Sequence, residues 1–197
     1  MLAVSCGADA IGVIFAEASP RRVSMEVAHD IAQALPAFVP LVSVFVEPTS
    51  SQIDEALKAG YTPQFSGNEL WQTCESFVAG PYLKVYHLPP ESGAATSAAF
   101  EAWARGYAHA TWMFDTTVDG LRGGTGRTFN WDDARRIAGQ RRIVISGGLT
   151  PDNVGECVRR VRPFAVDVRS GIESDGVKDE AKMRAFVRAV KEADAEA

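Results

Sequence analysis

The chain alternates between two patterns of hydrophobic and polar residues. Short runs of β-branched and aromatic residues predict strands, and longer stretches with apolar residues three or four apart predict amphipathic helices. The predicted strands are 9–15, 41–46, 62–65, 82–88, 111–115, 142–146 and 164–168. The predicted helices are 25–35, 51–59, 69–78, 97–108, 132–138, 152–161 and 180–193. Because parallel strands need a crossover, this alternation predicts an α/β fold with a parallel sheet, either doubly wound or closed as a (β/α) barrel.

Two of the predicted helices have recognisable starts. Ser24 precedes a helix with Glu26 in its first turn, which is typical of an N-cap. Thr150 stands before Pro151, and proline is favoured at the first helical position. We therefore expect helix starts at both sites.

Composition limits the classes of function. The chain has 197 residues, 46% of them hydrophobic, which is enough for one domain spanning residues 1–197. Its net charge of -5 comes without long runs of one sign, so neither nucleic acid nor a membrane surface is an expected partner. Cys6, Cys74 and Cys157 fit neither a disulfide framework nor a metal site. No apolar stretch is long enough to span a membrane, and we expect a cytoplasmic protein.

The segment that ends in Asp115 carries the first candidate chemistry. Residues 111–114 form a short apolar run, which predicts a buried strand with Asp115 at its end. Residues 120–127 follow with four glycines, as in a mobile loop that closes over a site. Burial against Met113 and Phe114 favours a protonated carboxyl, which a proton donor requires. The alternative is that Asp115 only caps the following turn.

Glycines also follow the last two predicted strands. Gly147 and Gly148 come after one strand, and Ser170 and Gly171 come after the next. Small residues leave backbone N–H groups accessible to a phosphate, although a single Gly-Gly pair is more often a plain turn. In eight-stranded barrels the loops after strands seven and eight commonly build the phosphate site. The paired loops therefore favour phosphate binding.

Several segments together resemble the phosphoribosylanthranilate isomerase family of tryptophan biosynthesis. They occur in family order at residues 7–12, 19–21, 44–46, 114–115 with 123–126, 146–154, and 166–168 with 170–173. The resemblance covers about residues 6–190 and implies a (β/α)8 TIM barrel. It also implies an Amadori rearrangement of N-(5-phosphoribosyl)anthranilate that uses no metal or cofactor.

The resemblance assigns roles to individual residues. Asp115 is implied as the general acid and Arg21 as the residue that holds the anthranilate carboxylate, a ligand that suits a guanidinium. Gln64, Asp167 and Gly124 are implied as substrate-binding residues. The implied phosphate ligands are Gly147, Gly148, Ser170 and Gly171. Arg21 has the alternative of a solvated loop residue, and Asp167 that of a structural hydrogen-bonding residue.

The chain also departs from the family pattern. The family's first strand ends in Cys-Gly-Ile-Thr, whose cysteine is the general base, and this motif does not occur in the sequence. Residues 1–6 match the end of the family's first helix, so we expect an incomplete barrel of about seven βα units. Cys6 lies at the turn into a strand, on the face opposite the chemistry. The absence of the family's cysteine base has four possible explanations. They are a chain start placed too late, a truncated chain, true loss of the base, or replacement of the base by His87.

Two smaller departures affect the proposed ligand contacts. Ser66 stands where the family has histidine after Gln64 and Phe65, and Arg169 stands beside Ser170 in place of serine. The sequence therefore leaves two hypotheses. One is the isomerase, and the other is a phosphosugar-binding barrel without turnover, monomeric or weakly self-associating through an open barrel edge.

Overall fold

A computed structural model describes residues 1–88, 98–118, 121–122 and 131–196. By its internal contacts the chain falls into two compact units. The N-terminal unit comprises Met1–Val85 with Gly106–Thr111, and the C-terminal unit comprises the described residues of Tyr86–Arg105 and Trp112–Ala197. The expectation of a single domain stays a prediction.

The N-terminal unit consists of strands and helices in strict alternation after a short initial helix. Its elements are α1 (Leu2–Ser5), β1 (Ile11–Ile14), α2 (Met25–Ala34), β2 (Leu41–Phe45), α3 (Ser50–Lys58), β3 (Thr62–Phe65), α4 (Trp71–Phe77) and the first half of β4 (Leu83–Leu88). All four strands run parallel, and the register pairs Val44 with Gln64 and Gln64 with Leu83.

The core of this unit lies between the strands and helices α2 and α3. Leu41, Ser43 and Phe45 of β2 are buried in alternation, and the Phe45 ring stacks on Phe15 at 5.2 Å. The Ser24 hydroxyl accepts a hydrogen bond from the Val27 amide at 3.3 Å, which confirms the predicted cap of α2. A side-chain cap of this kind contributes about 1 kcal/mol to helix stability.

The C-terminal unit continues the alternation and adds two hairpins. Its elements are the end of β4, α5 (Ala98–Gly106, whose last residue belongs to the other unit), β5 (Thr111–Val118), β6 (Leu121–Arg122), α6 (Trp131–Ala138), β7 (Ile143–Ile145), α7 (Val154–Val161), β8 (Ala165–Val166), β9 (Glu173–Ser174), β10 (Val177–Lys178) and α8 (Glu180–Ala195). Strands β5, β7 and β8 are parallel, whereas β6 pairs antiparallel with β5 and β10 with β9.

An aromatic cluster fills the core next to α5. Phe100 on the helix contacts Tyr86, Trp103, Trp112 and Phe114 with ring centroids 5.1–5.9 Å apart. Phe114 has no exposed surface, and Trp112 is buried. Aromatic pairs at these distances add to the stabilisation from burial. The cluster anchors the strand that carries Asp115.

The strand order identifies the fold class. Parallel strands are joined in the order β1-β2-β3-β4-β5-β7-β8, so each parallel strand pairs with the next along the chain. A doubly wound sheet would instead reverse its order at a switch point. The order therefore excludes the doubly wound alternative and confirms an α/β sheet of the TIM-barrel type, with seven parallel strands among the described residues.

The structure differs from the sequence prediction at three places. Strand β5 continues to Val118 and forms a hairpin with β6. A second hairpin, β9–β10, turns at Asp175 and Gly176, both of which have positive φ. The predicted cap at Thr150 is wrong, because α7 begins after Asn153.

Within the described ranges, no helix combines the length and the apolar character needed to cross a membrane.

Candidate active site

The carboxyl ends of β7 and β8 are joined by a hydrogen bond between side chains. The hydroxyl of Ser146, which follows β7, donates to Oδ2 of Asp167, which follows β8, at 3.0 Å. Ser146 is buried, and the Asp167 amide bonds to the Ile145 carbonyl. The bond fixes the direction of the carboxylate.

The surroundings of Asp167 act on its charge. Its side chain is accessible to water, yet protein surrounds it closely enough that partial desolvation raises the pKa of the carboxyl above its ordinary value. The Ser146 hydrogen bond and the cations of Lys178 and Arg169 act in the opposite direction. Asp167 is therefore held in an environment that weakens its ionisation.

The loops after β7 and β8 form a cavity, which we call the β7–β8 cup. Its volume is about 250 Å³, and it is lined by Gly148, Leu149, Thr150, Ser170, Gly171, Glu173 and Lys182. The structure thus brings together Gly148, Ser170 and Gly171, and Gly147 directly precedes the cup. Small residues dominate the lining between the two loops, so backbone N–H groups can approach a ligand closely.

Two glycine conformations make this approach possible. Gly147 and Gly148 have φ of 83° and 66°, a region that residues with a side chain rarely adopt. At Gly171 an added Cβ would lie 1.8 Å from the carbonyl oxygen of Leu149. The two loops therefore touch through backbone at a position where only glycine fits.

The side chain of Asn153 holds the loop after β7 through two hydrogen bonds. Its Oδ1 accepts from the Thr150 amide at 2.8 Å, and its Nδ2 donates to the Gly148 carbonyl at 3.0 Å. These two bonds use the Asn153 side chain within the loop, which accounts for the later start of α7. The loop geometry is fixed by the residue just before the helix.

The segment after β8 is held by two lysines, one in β10 and one in the first turn of α8. It contains a short 3₁₀ turn, Ser170–Ile172, followed by the β9–β10 hairpin. Lys178 Nζ donates to the Arg169 carbonyl at 2.6 Å and lies 3.1 Å from Glu173 Oε1. Lys182 Nζ donates to the Glu173 carbonyl at 2.7 Å. Two lysines therefore secure both ends of the 3₁₀ turn.

Asp179 completes this arrangement as the N-cap of α8. It accepts from the Lys182 amide at 3.1 Å and from the Ser174 hydroxyl at 2.7 Å. These two hydrogen bonds, the Ser174 bond first, hold the pKa of the Asp179 carboxyl below its ordinary value. The hairpin and the helix are thereby tied together.

Asp115 lies in β5 beside β7 in the same unit. Phe114, directly before it, pairs with Ile145, and its carbonyl accepts from the Ser146 amide at 2.7 Å. The Asp115 side chain is half-buried and its Oδ1 is buried. The strand continues through Asp115 to Val118, so the expected strand end at this residue is wrong.

The other predicted ligand residues belong to the N-terminal unit. Arg21 is exposed in the connection after β1, where its amide bonds to the Ser19 hydroxyl at 3.2 Å. Gln64 is half-buried in β3 and donates to the Ser66 hydroxyl at 3.1 Å. Both follow or end strands at their carboxyl side, which is the functional side of such barrels. Gly124 and most of the 120–127 loop lie outside the described residues.

All three cysteines of the sequence are buried. Burial raises the pKa of the Cys74 and Cys157 thiols to about 12. Cys6 ends α1 at the amino end of β1, as predicted. His87 is half-buried near the end of β4 and its Nδ1 is buried.

Sequence reasoning missed Glu173, Lys178 and Lys182. The pair Asp175-Gly176 was the available signal, since Asp-Gly between short extended segments predicts a tight hairpin. Such a hairpin turns Lys178 back toward Glu173, with which it pairs in register. The charged residues near the cup could have been found from it.

Comparison with known proteins identifies the family of this chain. The family model described as N-(5'phosphoribosyl)anthranilate (PRA) isomerase matches residues 1–189. The N-(5'-phosphoribosyl)anthranilate isomerase of Pseudomonas aeruginosa is 42% identical over 97% of this chain and 89% of its own length. That of Pseudomonas fluorescens is 40% identical over the same shares.

Two solved structures agree with these relatives. The phosphoribosyl anthranilate isomerase of Thermotoga maritima aligns with a TM-score of 0.84 and 32% identity, covering 97% of this chain and 92% of the other. A complex of such an isomerase with reduced 1-(o-carboxyphenylamino)-1-deoxyribulose 5-phosphate aligns with a TM-score of 0.79 and 31% identity over 97% and 91%. The chain belongs to the N-(5'-phosphoribosyl)anthranilate isomerase family.

Proposed function

We propose that this chain binds N-(5'-phosphoribosyl)anthranilate and takes part in its Amadori rearrangement, with the substrate phosphate in the β7–β8 cup. The observation that supports this most is the backbone contact of the two loops at Gly171, where a Cβ would meet the Leu149 oxygen. A pocket whose two loops touch through their backbones suits a small, multiply charged group that is bound by main-chain N–H donors. The family's substrate carries such a group.

Asp115 is the proposed general acid. In the first step its proton goes to the furanose ring oxygen, the bond from that oxygen to C1 breaks, and the nitrogen lone pair forms an iminium with C1. In the second step a base removes the C2 proton, which gives an enol-amine that tautomerises to the ketone. The position of Asp115 supports the acid role, because its side chain is half-buried in β5 next to the strand that leads into the β7–β8 cup.

Arg21 and Gln64 are the proposed contacts for the rest of the substrate. The exposed guanidinium of Arg21 is suited to a bidentate pair with the anthranilate carboxylate. Gln64 offers an amide that is already oriented by Ser66. Asp167, oriented by Ser146, is the proposed partner for a sugar hydroxyl or amine. Gly124 of the loop beyond β6 is a further proposed contact.

The proposal includes no base from the three cysteines. Cys74 and Cys157 have thiols with a pKa of about 12, so they are not thiolates at neutral pH. Cys6 lies at the amino end of β1, whereas the chemistry belongs at the carboxyl ends. This observation favours a second candidate function, in which these 197 residues bind the phosphosugar without completing the rearrangement. Self-association through an open edge stays a prediction.

Paired binding and turnover measurements on wild type and Asp115→Asn test the proposal. The reduced product analogue is titrated calorimetrically, and turnover is followed by the change in anthranilate fluorescence. We expect both proteins to bind the analogue within about 3-fold of each other, because the Asn side chain keeps the shape of the carboxyl. If the wild type turns over, Asp115→Asn should lower kcat by about 10²–10⁴.

The outcomes separate the two candidates. Turnover that requires Asp115 supports the isomerase, whereas analogue binding without turnover supports the binding function. Equal turnover by both proteins contradicts the acid role of Asp115. Absence of analogue binding by folded wild type overturns both candidates.

A further inference from the structure

We propose that Lys178 makes the β7–β8 cup competent for phosphate by neutralising Glu173, an acidic residue of the cup lining. This inference rests on the proposed phosphate site. The inference depends on one acidic residue, Glu173, in a cavity whose other lining residues are neutral apart from Lys182. It gives Glu173, Lys178 and Lys182 positioning and charge-setting roles at that site.

Glu173 is an unexpected residue for an anion site. It belongs to the cup lining, and its side chain is only 7% exposed, so water screens its charge weakly. A carboxylate without a nearby cation would repel a phosphate dianion bound in the cup. The cup can accept phosphate only if a cation offsets this charge.

Lys178 is placed to provide that cation. Its Nζ lies 3.1 Å from Glu173 Oε1 and donates to the Arg169 carbonyl at 2.6 Å. The ammonium therefore spans the 3₁₀ turn from the residue before it to the residue after it. Neutralisation and fixation of the turn are performed by the same group.

Lys182 contributes from the first turn of α8. Its Nζ donates to the Glu173 carbonyl at 2.7 Å, and the residue also lines the cup. Its amide bonds to Asp179, which fixes its backbone. Lys182 thus adds positive charge at the cup and holds the backbone of Glu173.

A charge-setting role makes a prediction that a purely structural role does not. If Lys178 acts by neutralising the charge of Glu173, removal of Lys178 alone should lower the affinity for phosphate. Removal of both charges should then restore that affinity. If Lys178 only holds the turn, Glu173→Gln cannot restore it, because the bond to the Arg169 carbonyl remains missing. The double-mutant cycle separates the two roles.

The experiment titrates the reduced product analogue and its dephosphorylated counterpart into wild type, K178Q, E173Q and E173Q/K178Q by calorimetry. We expect K178Q to weaken binding of the phosphorylated analogue by about 10-fold or more, and E173Q to leave it unchanged or tighter. The double variant should return to within about 3-fold of wild type. Binding of the dephosphorylated analogue should stay the same in all four proteins.

K191Q is the matched control, since Lys191 is an exposed lysine further along the same helix. It should bind both analogues as wild type does. A double variant as weak as K178Q, or equal losses for both analogues, overturns the charge-setting role. Wild type that does not distinguish the two analogues instead overturns the phosphate site, and with it the proposed function.

Discussion

Two lysine–glutamate pairs occupy contrasting positions in the two units. Lys84 and Glu69 in the N-terminal unit are both 2% exposed and lie 2.6 Å apart. Lys178 and Glu173 in the C-terminal unit are 46% and 7% exposed and lie 3.1 Å apart. The first pair is enclosed by protein, whereas in the second the lysine is nearly half exposed and the glutamate belongs to the lining of the β7–β8 cup.

The partners of Glu69 explain the burial of the first pair. Its Oε1 accepts from the Glu47 and Gly67 amides at 2.9 and 3.1 Å, and Lys84 also donates to the Gly67 carbonyl at 2.8 Å. The hydroxyl of Tyr107 donates to the Glu69 carbonyl. This pair joins the loops after β2 and β3. The first pair therefore serves structure, whereas the role proposed for the second pair is in phosphate binding.

The largest expected effect breaks the enclosed pair. K84M leaves the Glu69 carboxylate buried without its cation, and we expect a loss of about 3–5 kcal/mol in the free energy of unfolding. K84M/E69Q should recover part of that loss, because glutamine keeps an acceptor for the amides without a charge. Urea denaturation followed by circular dichroism measures both. A loss below about 1 kcal/mol for K84M would show that water reaches the pair.

The backbone of the cup provides the next test. G171A places a Cβ against the Leu149 oxygen, and we expect a destabilisation of about 1–3 kcal/mol together with loss of analogue binding. G80A is the control, because a Cβ there meets nothing within 4 Å. Denaturation and titration of both variants give the result. An unchanged affinity in G171A would mean that the loop contact is not part of the ligand site.

The pair of Lys178 and Glu173 should respond in affinity rather than in stability. Because Lys178 is nearly half exposed and water can take its place beside Glu173, we expect K178Q to lower the free energy of unfolding by clearly less than K84M does. The same denaturation experiment applied to K84M and K178Q compares the two pairs directly. Equal losses of unfolding free energy in the two variants would contradict the difference expected between the two pairs.

The smallest expected effect concerns Asp167. Because desolvation raises its pKa in the folded protein, the ionised form opposes folding, and stability is lost as the pH rises from the ordinary value of 3.8 through the folded pKa. D167N removes this loss, so the wild type should weaken relative to D167N above about pH 4. Thermal unfolding at a series of pH values measures the difference. A wild type that gains stability relative to D167N over that range contradicts the direction of the shift.

The sequence predicted the parts of the fold that depend on local pattern. Strand β3 has the predicted bounds, and α2 starts at its predicted cap, since alternation and capping are properties of neighbouring residues. The start of α7 was misplaced because Asn153 bonds into the loop before it, a choice that the cap preference of Thr150 does not encode. Local pattern left the order of the parallel strands open, whereas the family resemblance implied the sequential order that the structure shows.

The sequence also predicted only part of the candidate site. Gly148, Ser170 and Gly171 meet as expected, because loops after neighbouring parallel strands lie at one edge of the sheet. Glu173 and Lys178 were missed because their contact depends on a hairpin absent from the predicted elements. The enclosed pair of Lys84 and Glu69 joins residues distant in sequence, and no periodicity reveals such a pairing.

Calorimetric titration of wild type with the reduced product analogue, and with the same molecule lacking its phosphate, tests the phosphate site itself. We expect the phosphate to tighten binding by about 100-fold or more, since its main-chain contacts are charge-assisted. Equal affinities for the two molecules would contradict the assignment of the β7–β8 cup as a phosphate site.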